Sequence, residues 1–289
     1  MFNKVTICGM GVMGASLGHT LIRYKLAKEV CGLVRREEVI PDLIRLKLAH
    51  VATRCIEKAV KDAEIVILCT PVSLIPQLLK KILPFLSSRS LVMDVGSVKK
   101  PVVSACSRIV GKQAGFLGCH PMTGTEKFGF NNFVPGLYRG APCILTPEKN
   151  TPDWALPRAE KFWKQLGAKV FIMTPEGHDT SVAWISHLPH VVSFVLMDSL
   201  LKQKNRLPDL LNIAAGSFKD MTRIAASSAE LWTGIFQENR REILKTTAVF
   251  EKQFRVFRQL LSGKNPAAIQ RFLSRVSEER RNFKHSSSS

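Results

Sequence analysis

Val5-Thr6-Ile7-Cys8-Gly9-Met10-Gly11-Val12-Met13-Gly14 places a β-branched run directly before a GxGxxG turn and the start of a helical pattern. In this strand–turn–helix setting each glycine has its own task. Gly9 permits the tight turn, Gly11 lets the backbone approach a pyrophosphate, and Gly14 lets the helix pack on the strand. The helix N-terminus, with Val12 and Met13 in its first turn, faces the anion. The same glycines also fit a tight turn that holds no ligand, so the context has to decide.

The context is repetitive. Apolar, β-rich runs recur at 30–34, 65–69, 91–95, 116–119, 143–146 and 169–173, with helical spacing over stretches such as 14–28 and 71–86. Near-continuous apolar strands alternating with helices predict a Rossmann-type, doubly wound parallel sheet of the α/β class. Beyond Thr174-Pro175 the strand signals stop, and helical patterns fill 180–204, 208–215, 229–261 and 266–281. The expected organisation is a dinucleotide-binding domain over 1–174, an all-helical substrate and dimerisation domain over 175–285, and a disordered tail at 286–289. Long helices with large apolar faces predict a homodimer.

The second predicted strand ends Cys31-Gly32-Leu33-Val34-Arg35-Arg36. A carboxylate at that point accepts hydrogen bonds from a ribose 2′-hydroxyl and repels a 2′-phosphate. Here Val34 takes its place and two guanidiniums follow, whose planar forks match phosphate. The expected cofactor is NADP, with Arg35 as the main contact and Arg36 in support. NAD is the alternative, because Glu37 and Glu38 lie within reach of a ribose and both arginines also suit a solvated surface. Thr70 and Pro71, after the third predicted strand, complete the expected cofactor contacts.

Composition narrows the class. The 289 residues are 45% hydrophobic and 22% charged, with a mean hydropathy of +0.04, which suits a globular chain and excludes disorder or a collagen-like repeat. No uninterrupted apolar run approaches the ~18 residues of a membrane span, and the N-terminus enters a strand at once, unlike a signal peptide. A soluble, cytoplasmic protein without a membrane partner is expected. Seven cysteines with no CxxC pair read as reduced, mostly core thiols. The net charge of +19 suits nucleic acid, acidic membranes or small anions alike. Without interleaved aromatic and basic residues or zinc-finger spacing, no nucleic-acid partner is expected.

Three segments concentrate polar chemistry: Asp94-Val95-Gly96-Ser97-Val98-Lys99, Gly118 to Glu126, and His178-Asp179 followed by Ser186-His187-Leu188-Pro189-His190. The first two follow predicted strands, at the carboxyl edge where such sheets meet their ligands. His120, an imidazole with an ordinary pKa near 6.5 at that edge, is the right kind of proton acceptor. Ser97 also fits as the N-cap of the next helix. Pro189 withholds a hydrogen bond from the carbonyl of Ile185, so a distorted helix is expected there. A metal site from His178, Asp179, His187 and His190 is the rival reading. It lacks a zinc-motif spacing, and no metal is expected.

With Gly-Ser-Val-Lys (96–99), His-Pro-Met-Thr-Gly-Thr-Glu (120–126), His-Asp (178–179), Ser-His-Leu-Pro-His (186–190) and Gly-Ser-Phe-Lys-Asp-Met-Thr-Arg-Ile-Ala (216–225), continued by Trp232 and Asn239, the chain resembles the prephenate/arogenate dehydrogenases of tyrosine biosynthesis. The likeness runs from Met1 to about Leu261. It implies oxidative decarboxylation of prephenate or arogenate with hydride transfer to NAD(P), giving 4-hydroxyphenylpyruvate or tyrosine. It further implies that His120 accepts the C4 hydroxyl, that Ser97 assists it, and that Arg223 binds a substrate carboxylate. His187, His190, Ser186 and Thr125 would line the substrate site, and Glu126 would form a gating ion pair. Thr123 stands where a small alanine is common in the family. The fused mutase of some relatives needs more residues than the ends supply, so a single activity is expected. Another hydroxyacid or imine reductase would carry a catalytic lysine on the helical segment, and 178–190 has none. A non-enzymatic dinucleotide- or nucleic-acid-binding protein would leave His120, Ser97 and Arg223 without a shared purpose.

Overall fold

The computed structural model describes residues 1–125, 127–203, 205–207 and 209–282. The expectations for Glu126 and for the tail at 286–289 lie outside these residues. Among the described residues the strands are β1 (Phe2–Cys8), β2 (Ala27–Leu33), β3 (Val51–Thr53), β4 (Ile65–Leu68), β5 (Leu91–Asp94), β6 (Gly115–Pro121), β7 (Pro142–Thr146) and β8 (Lys169–Ile172). They form one sheet in the order β3-β2-β1-β4-β5-β6-β7-β8. The order reverses between β1 and β4, which places a topological switch point, and its crevice, at Gly9. The Rossmann-type architecture is as the sequence predicts.

Two details of the sheet differ from expectation. β3 has three residues, too few to leave a period. β6 and β7 run antiparallel, with His120 opposite Ile144; among the described residues, the connection between them holds only the short 3-10 turn Phe130–Asn132. A parallel crossover needs a packed helix on the sheet face, and without one the chain returns antiparallel.

The helices are α1 (Val12–Arg23), α2 (Ile40–Arg45), α3 (Ile56–Val60), α4 (Ile75–Ile82), α5 (Lys100–Val110), α6 (Ala155–Gln165), α7 (Pro175–Val182), α8 (Leu188–Leu201), α9 (Gly216–Thr222), α10 (Ala229–Glu238), α11 (Arg240–Ser262) and α12 (Pro266–Asn282). One apolar cluster joins the sheet to α1, α2 and α6 through Leu17, Leu43 and Phe162. A second joins its other face to α3, α4 and α5 through Ala59, Leu79 and Val103, and takes in Trp232 and Ile235 of α10. Both faces of the sheet are therefore dry, as a doubly wound sheet requires.

Three helical expectations are corrected. α1 stops at Arg23 rather than continuing to 28, because Lys25 adopts a left-handed φ of 51° and β2 already begins at Ala27. Residues 209–213 form turns and 214–215 are irregular, not a helix. The long pattern over 229–261 breaks at Asn239, between α10 and α11. Pro175–Leu201 is continuous, and its 27 residues include a window of mean hydropathy 1.3, long and apolar enough by those measures to cross a membrane. It nevertheless buries His178, Asp179 and His187, so its polar content faces protein. Met1–Arg240 form one compact unit and Arg241–Ser289 a second.

Candidate active site

The glycine loop has the shape its spacing predicts. Gly9 has φ +103°, and a Cβ there would lie 2.7 Å from the carbonyl oxygen of Cys69. A Cβ on Gly14 would lie 2.1 Å from the carbonyl oxygen of Gly9. These two glycines are required by the protein's own backbone. Gly11 is not: a Cβ there would meet nothing within 4 Å. Its missing side chain leaves open space in front of the first turn of α1, where a pyrophosphate would approach. Beside it, the buried Thr70 hydroxyl has no hydrogen-bond partner. Pro71 is exposed next to Thr70, Val12 is buried, and Met13 gives its carbonyl to the Tyr138 hydroxyl at 2.7 Å.

At the end of β2, Val34 is half-buried and its N–H donates to the Thr53 carbonyl of β3 at 3.0 Å. Arg35 and Arg36 follow, both exposed. Arg36 stands 3.6 Å from Glu38, and Arg54 stands 3.6 Å from Glu37. Arg35 makes no ion pair among the described residues.

The polar segments singled out in the sequence converge at the carboxyl ends of β5 and β6. The His120 Nδ1 lies 2.7 Å from His178 Nε2, and His178 Nδ1 lies 2.7 Å from Asp179 Oδ1. Asp179 in turn accepts the backbone N–H of Lys99 at 2.7 Å and of Lys100 at 2.9 Å. A carboxylate from α7 thereby caps the positive end of α5. Ser97, expected as the cap, is displaced from that role: the N-cap position is Lys99 and carries no side-chain cap of its own. Ser97 remains half-buried on the turn between β5 and α5.

The chain of bonds dictates protons. The Asp179 carboxylate can only accept, so His178 Nδ1 carries the hydrogen and His178 Nε2 is a lone pair. That lone pair accepts from His120 Nδ1–H, and the His120 Nε2 is left as the free lone pair. Burial pushes the pKa of both histidines down, that of His120 well below 6.5, with His178 and the Lys99 ammonium adding to the burial effect at His120. At neutral pH His120 is a neutral imidazole with a basic nitrogen to spare.

A second layer holds this layer in place. The Lys99 ammonium and Asp94 carboxylate form a fully buried ion pair. The ammonium also donates to the Cys119 carbonyl at 2.7 Å, while Asp94 accepts the N–H of Cys119 at 3.3 Å and of Gly96 at 2.8 Å. Both backbone groups preceding His120 are thus clamped. Neither Lys99 nor Asp94 is singled out by spacing, because the sequence does not show that β5 and β6 lie side by side.

On the helical side, a π-turn at Ala183–His187 joins α7 to α8, directly before Pro189. It is the distortion expected from the missing N–H of Pro189. Asn239 donates to the Asp179 carbonyl at 2.9 Å and lies 3.1 Å from His187 Nδ1. His187 therefore accepts through Nδ1 and bears its hydrogen on Nε2, which is buried without a partner; burial lowers its pKa to about 4. His190 stacks on Trp232 with ring centroids 3.5 Å apart and donates from Nδ1 to the Ser186 carbonyl at 2.9 Å. Its pKa is lowered by burial and by the Arg223 cation, which places Arg223 within electrostatic reach. Arg223 is exposed on the turn after α9. Thr125 is half-buried and accepts the N–H of Lys127 at 2.9 Å; it is held apart from this cluster by no contact that joins the two. In the rival metal reading, Asp179, His178 Nδ1 and His178 Nε2 are engaged in these hydrogen bonds, and among the described residues no three metal-type side chains are grouped as ligands.

The family model for the nucleotide-binding domain of prephenate dehydrogenase matches residues 17–172, and that for the prephenate dehydrogenase dimerization domain matches 174–275. The chain belongs to the prephenate dehydrogenase family. It is 31% identical to the cyclohexadienyl dehydrogenase of Zymomonas mobilis over 268 residues, 92% of this chain and 90% of that protein. The structure of A. aeolicus prephenate dehydrogenase in complex with hydroxyphenyl propionate and NAD+ superposes with a TM-score of 0.92 at 33% identity, covering 98% of this chain and 99% of that one. Synechocystis arogenate dehydrogenase superposes at 0.84 and 30% identity, covering 97% and 100%. Membership in the family makes the chain a nicotinamide-dinucleotide-dependent dehydrogenase that works by oxidative decarboxylation, as its motifs implied.

Proposed function

We propose that this family member oxidises prephenate or arogenate with His120 as the proton acceptor. The hydrogen-bonded chain Asp179–His178–His120 carries the reading, because it leaves one basic nitrogen, His120 Nε2, at the edge of the sheet. A bound nicotinamide dinucleotide supplies the hydride acceptor. As the C4 hydrogen leaves with its electron pair, the hydroxyl becomes a carbonyl, and His120 Nε2 takes the hydroxyl proton. The ring carboxylate then departs as carbon dioxide, its bonding pair enters the ring, and His120 returns the proton to the phenolic oxygen. Ser97 helps to hold the hydroxyl. Arg223 meets a substrate carboxylate with its guanidinium fork, and His187 Nε2–H, buried and unpaired, donates to the same substrate. His190 and Ser186 line the pocket from the helical side, with Thr125 on the loop after β6, and Glu126 is assigned its gating ion pair on the motif alone.

For the dinucleotide, Gly9, Gly11, Val12, Met13 and Gly14 cradle the pyrophosphate, and Thr70 and Pro71 border the nicotinamide half. NADP is the preferred cofactor in this reading, since Val34 stands where an acid would be and Arg35 is unpaired beside it. NAD is the second reading, favoured by the NAD+ bound to the A. aeolicus relative. We further propose that 1–174 bind the dinucleotide and that 175–285 complete the substrate pocket and pair two chains into a homodimer. The cytoplasm is the location that suits a biosynthetic dehydrogenase. Following cofactor reduction with prephenate or arogenate, each with NAD or NADP, tests the whole. Turnover in one of the four pairs is expected and names both partners; silence in all four overturns the assignment.

A further inference from the structure

The carboxyl ends of β2 and β3 lie on one rim of the sheet, because Leu33 and Thr53 are direct partners in a parallel register. Arg35 and Arg36 leave β2 there, and Arg54 leaves β3 at the adjacent rung. Two acids share the rim, and each already has a cation: Glu37 faces Arg54 at 3.6 Å and Glu38 faces Arg36 at 3.6 Å, with all four side chains largely exposed. The Gly9 N–H donates to the Leu33 carbonyl at 3.1 Å, so the glycine loop abuts this same strand end. A dinucleotide laid over Gly11 brings its adenosine ribose to this rim.

We propose that Arg54 is a third 2′-phosphate contact, and that Glu37 holds its place until NADP arrives. The inference rests on the NADP reading above and extends it to a residue on the neighbouring strand. Glu37 meets Arg54 through Oε2 alone, and the long 3.6 Å contact between two exposed side chains is the weak, exchangeable kind. A 2′-phosphate brings more negative charge and three acceptor oxygens, so it displaces Glu37 and takes the Arg54 fork for itself. Selectivity then arises from the added cations: NADP gains Arg35 and Arg54, which a bare ribose does not need.

The test is equilibrium binding to the full-length protein without substrate, by titration calorimetry with NADP, NAD and 2′,5′-ADP. Arg54→Ala is expected to weaken NADP and 2′,5′-ADP about tenfold, the scale of one exposed charge-assisted phosphate contact, and to leave NAD within about twofold. Glu37→Gln is expected to tighten NADP up to about fivefold, since an exposed ion pair is weak to begin with. Both residues are exposed, so unchanged melting temperatures check that the variants fold. If Arg35→Ala weakens NADP while Arg54→Ala does not, the Arg54 assignment is overturned and the NADP reading stands. If NAD binds more tightly than NADP and neither arginine matters, the NADP reading itself falls. Unchanged NADP affinity in Glu37→Gln overturns the exchange between acid and phosphate.

Discussion

Replacing Asp179 by Asn keeps the size of the side chain but removes the charge and one acceptor. Oδ1 accepts from both His178 and the Lys99 N–H, and Oδ2 accepts from the Lys100 N–H, so an amide NH2 at either position faces a backbone donor of α5. The substitution therefore loosens the cap on α5 and withdraws the carboxylate that fixes the hydrogen on His178 Nδ1 and, through it, the tautomer of His120. We expect Asp179→Asn to lower kcat by about 10²–10⁴, the range of a lost general base, with dinucleotide affinity unchanged by direct titration. The histidines also set a pH dependence of stability. His120, His178 and His187 all have folded pKa values below the unfolded 6.5. For bases shifted in this direction the stability is fully present above about pH 6.5. It is lost as the pH falls toward the folded values, because the unfolded chain binds the protons first. Each histidine contributes a slope of up to about 1.4 kcal/mol per pH unit in that window. Urea unfolding at pH 7.5 and 5.5 should show a clear drop, and a flat profile would contradict the buried network. Of this cluster, His120 and His178 were visible in the sequence because they stand in segments that concentrate polar side chains. The Asp94–Lys99 clamp and the Asn239 bond were not, since both depend on contacts between elements far apart in the chain.

At the level of elements, the glycine loop makes two opposite predictions from one motif. Gly14→Ala drives a Cβ to 2.1 Å from a backbone oxygen and 3.0 Å from the Ile7 side chain, so β1 and α1 must separate. A stability loss of several kcal/mol is expected, at the upper end of overpacking costs, read as a fall in melting temperature. Gly11→Ala meets open space and should keep the melting temperature while weakening dinucleotide binding at least tenfold. The sequence displayed these elements well wherever the pattern was long: seven of the strands were legible because parallel strands are apolar on both faces. The three-residue β3 and the antiparallel return at β7 were illegible, because neither length nor direction leaves a period in the residues. The break at Asn239 escaped for a related reason, since the amide caps nothing local and instead serves a bond made sixty residues away.

Over the whole molecule, the unit from Arg241 onward exposes Leu244, Phe250, Phe254 and Leu261 on helices matched in large part by a dimerization-domain model. Such apolar surface suits burial against a second chain. Phe254→Asp is expected to shift the protein from dimer to monomer in light scattering at micromolar concentration; a wild-type protein already monomeric would contradict the proposed pairing. A net charge of +19 attracts anions in general, so kcat/KM for an anionic substrate should fall as ionic strength rises. Asp179 has one last consequence. Its two oxygens hold the first turn of α5 through Lys99 and Lys100, and His178 through Nδ1, so one carboxylate ties the seating of α7 on α5 to the tautomer of His178 and, through it, of His120. Lift α7 from that helix end by the length of a hydrogen bond, and His178 has no reason to keep its proton on Nδ1. The fold thus carries an interlock between the packing of two helices and the placement of a single hydrogen.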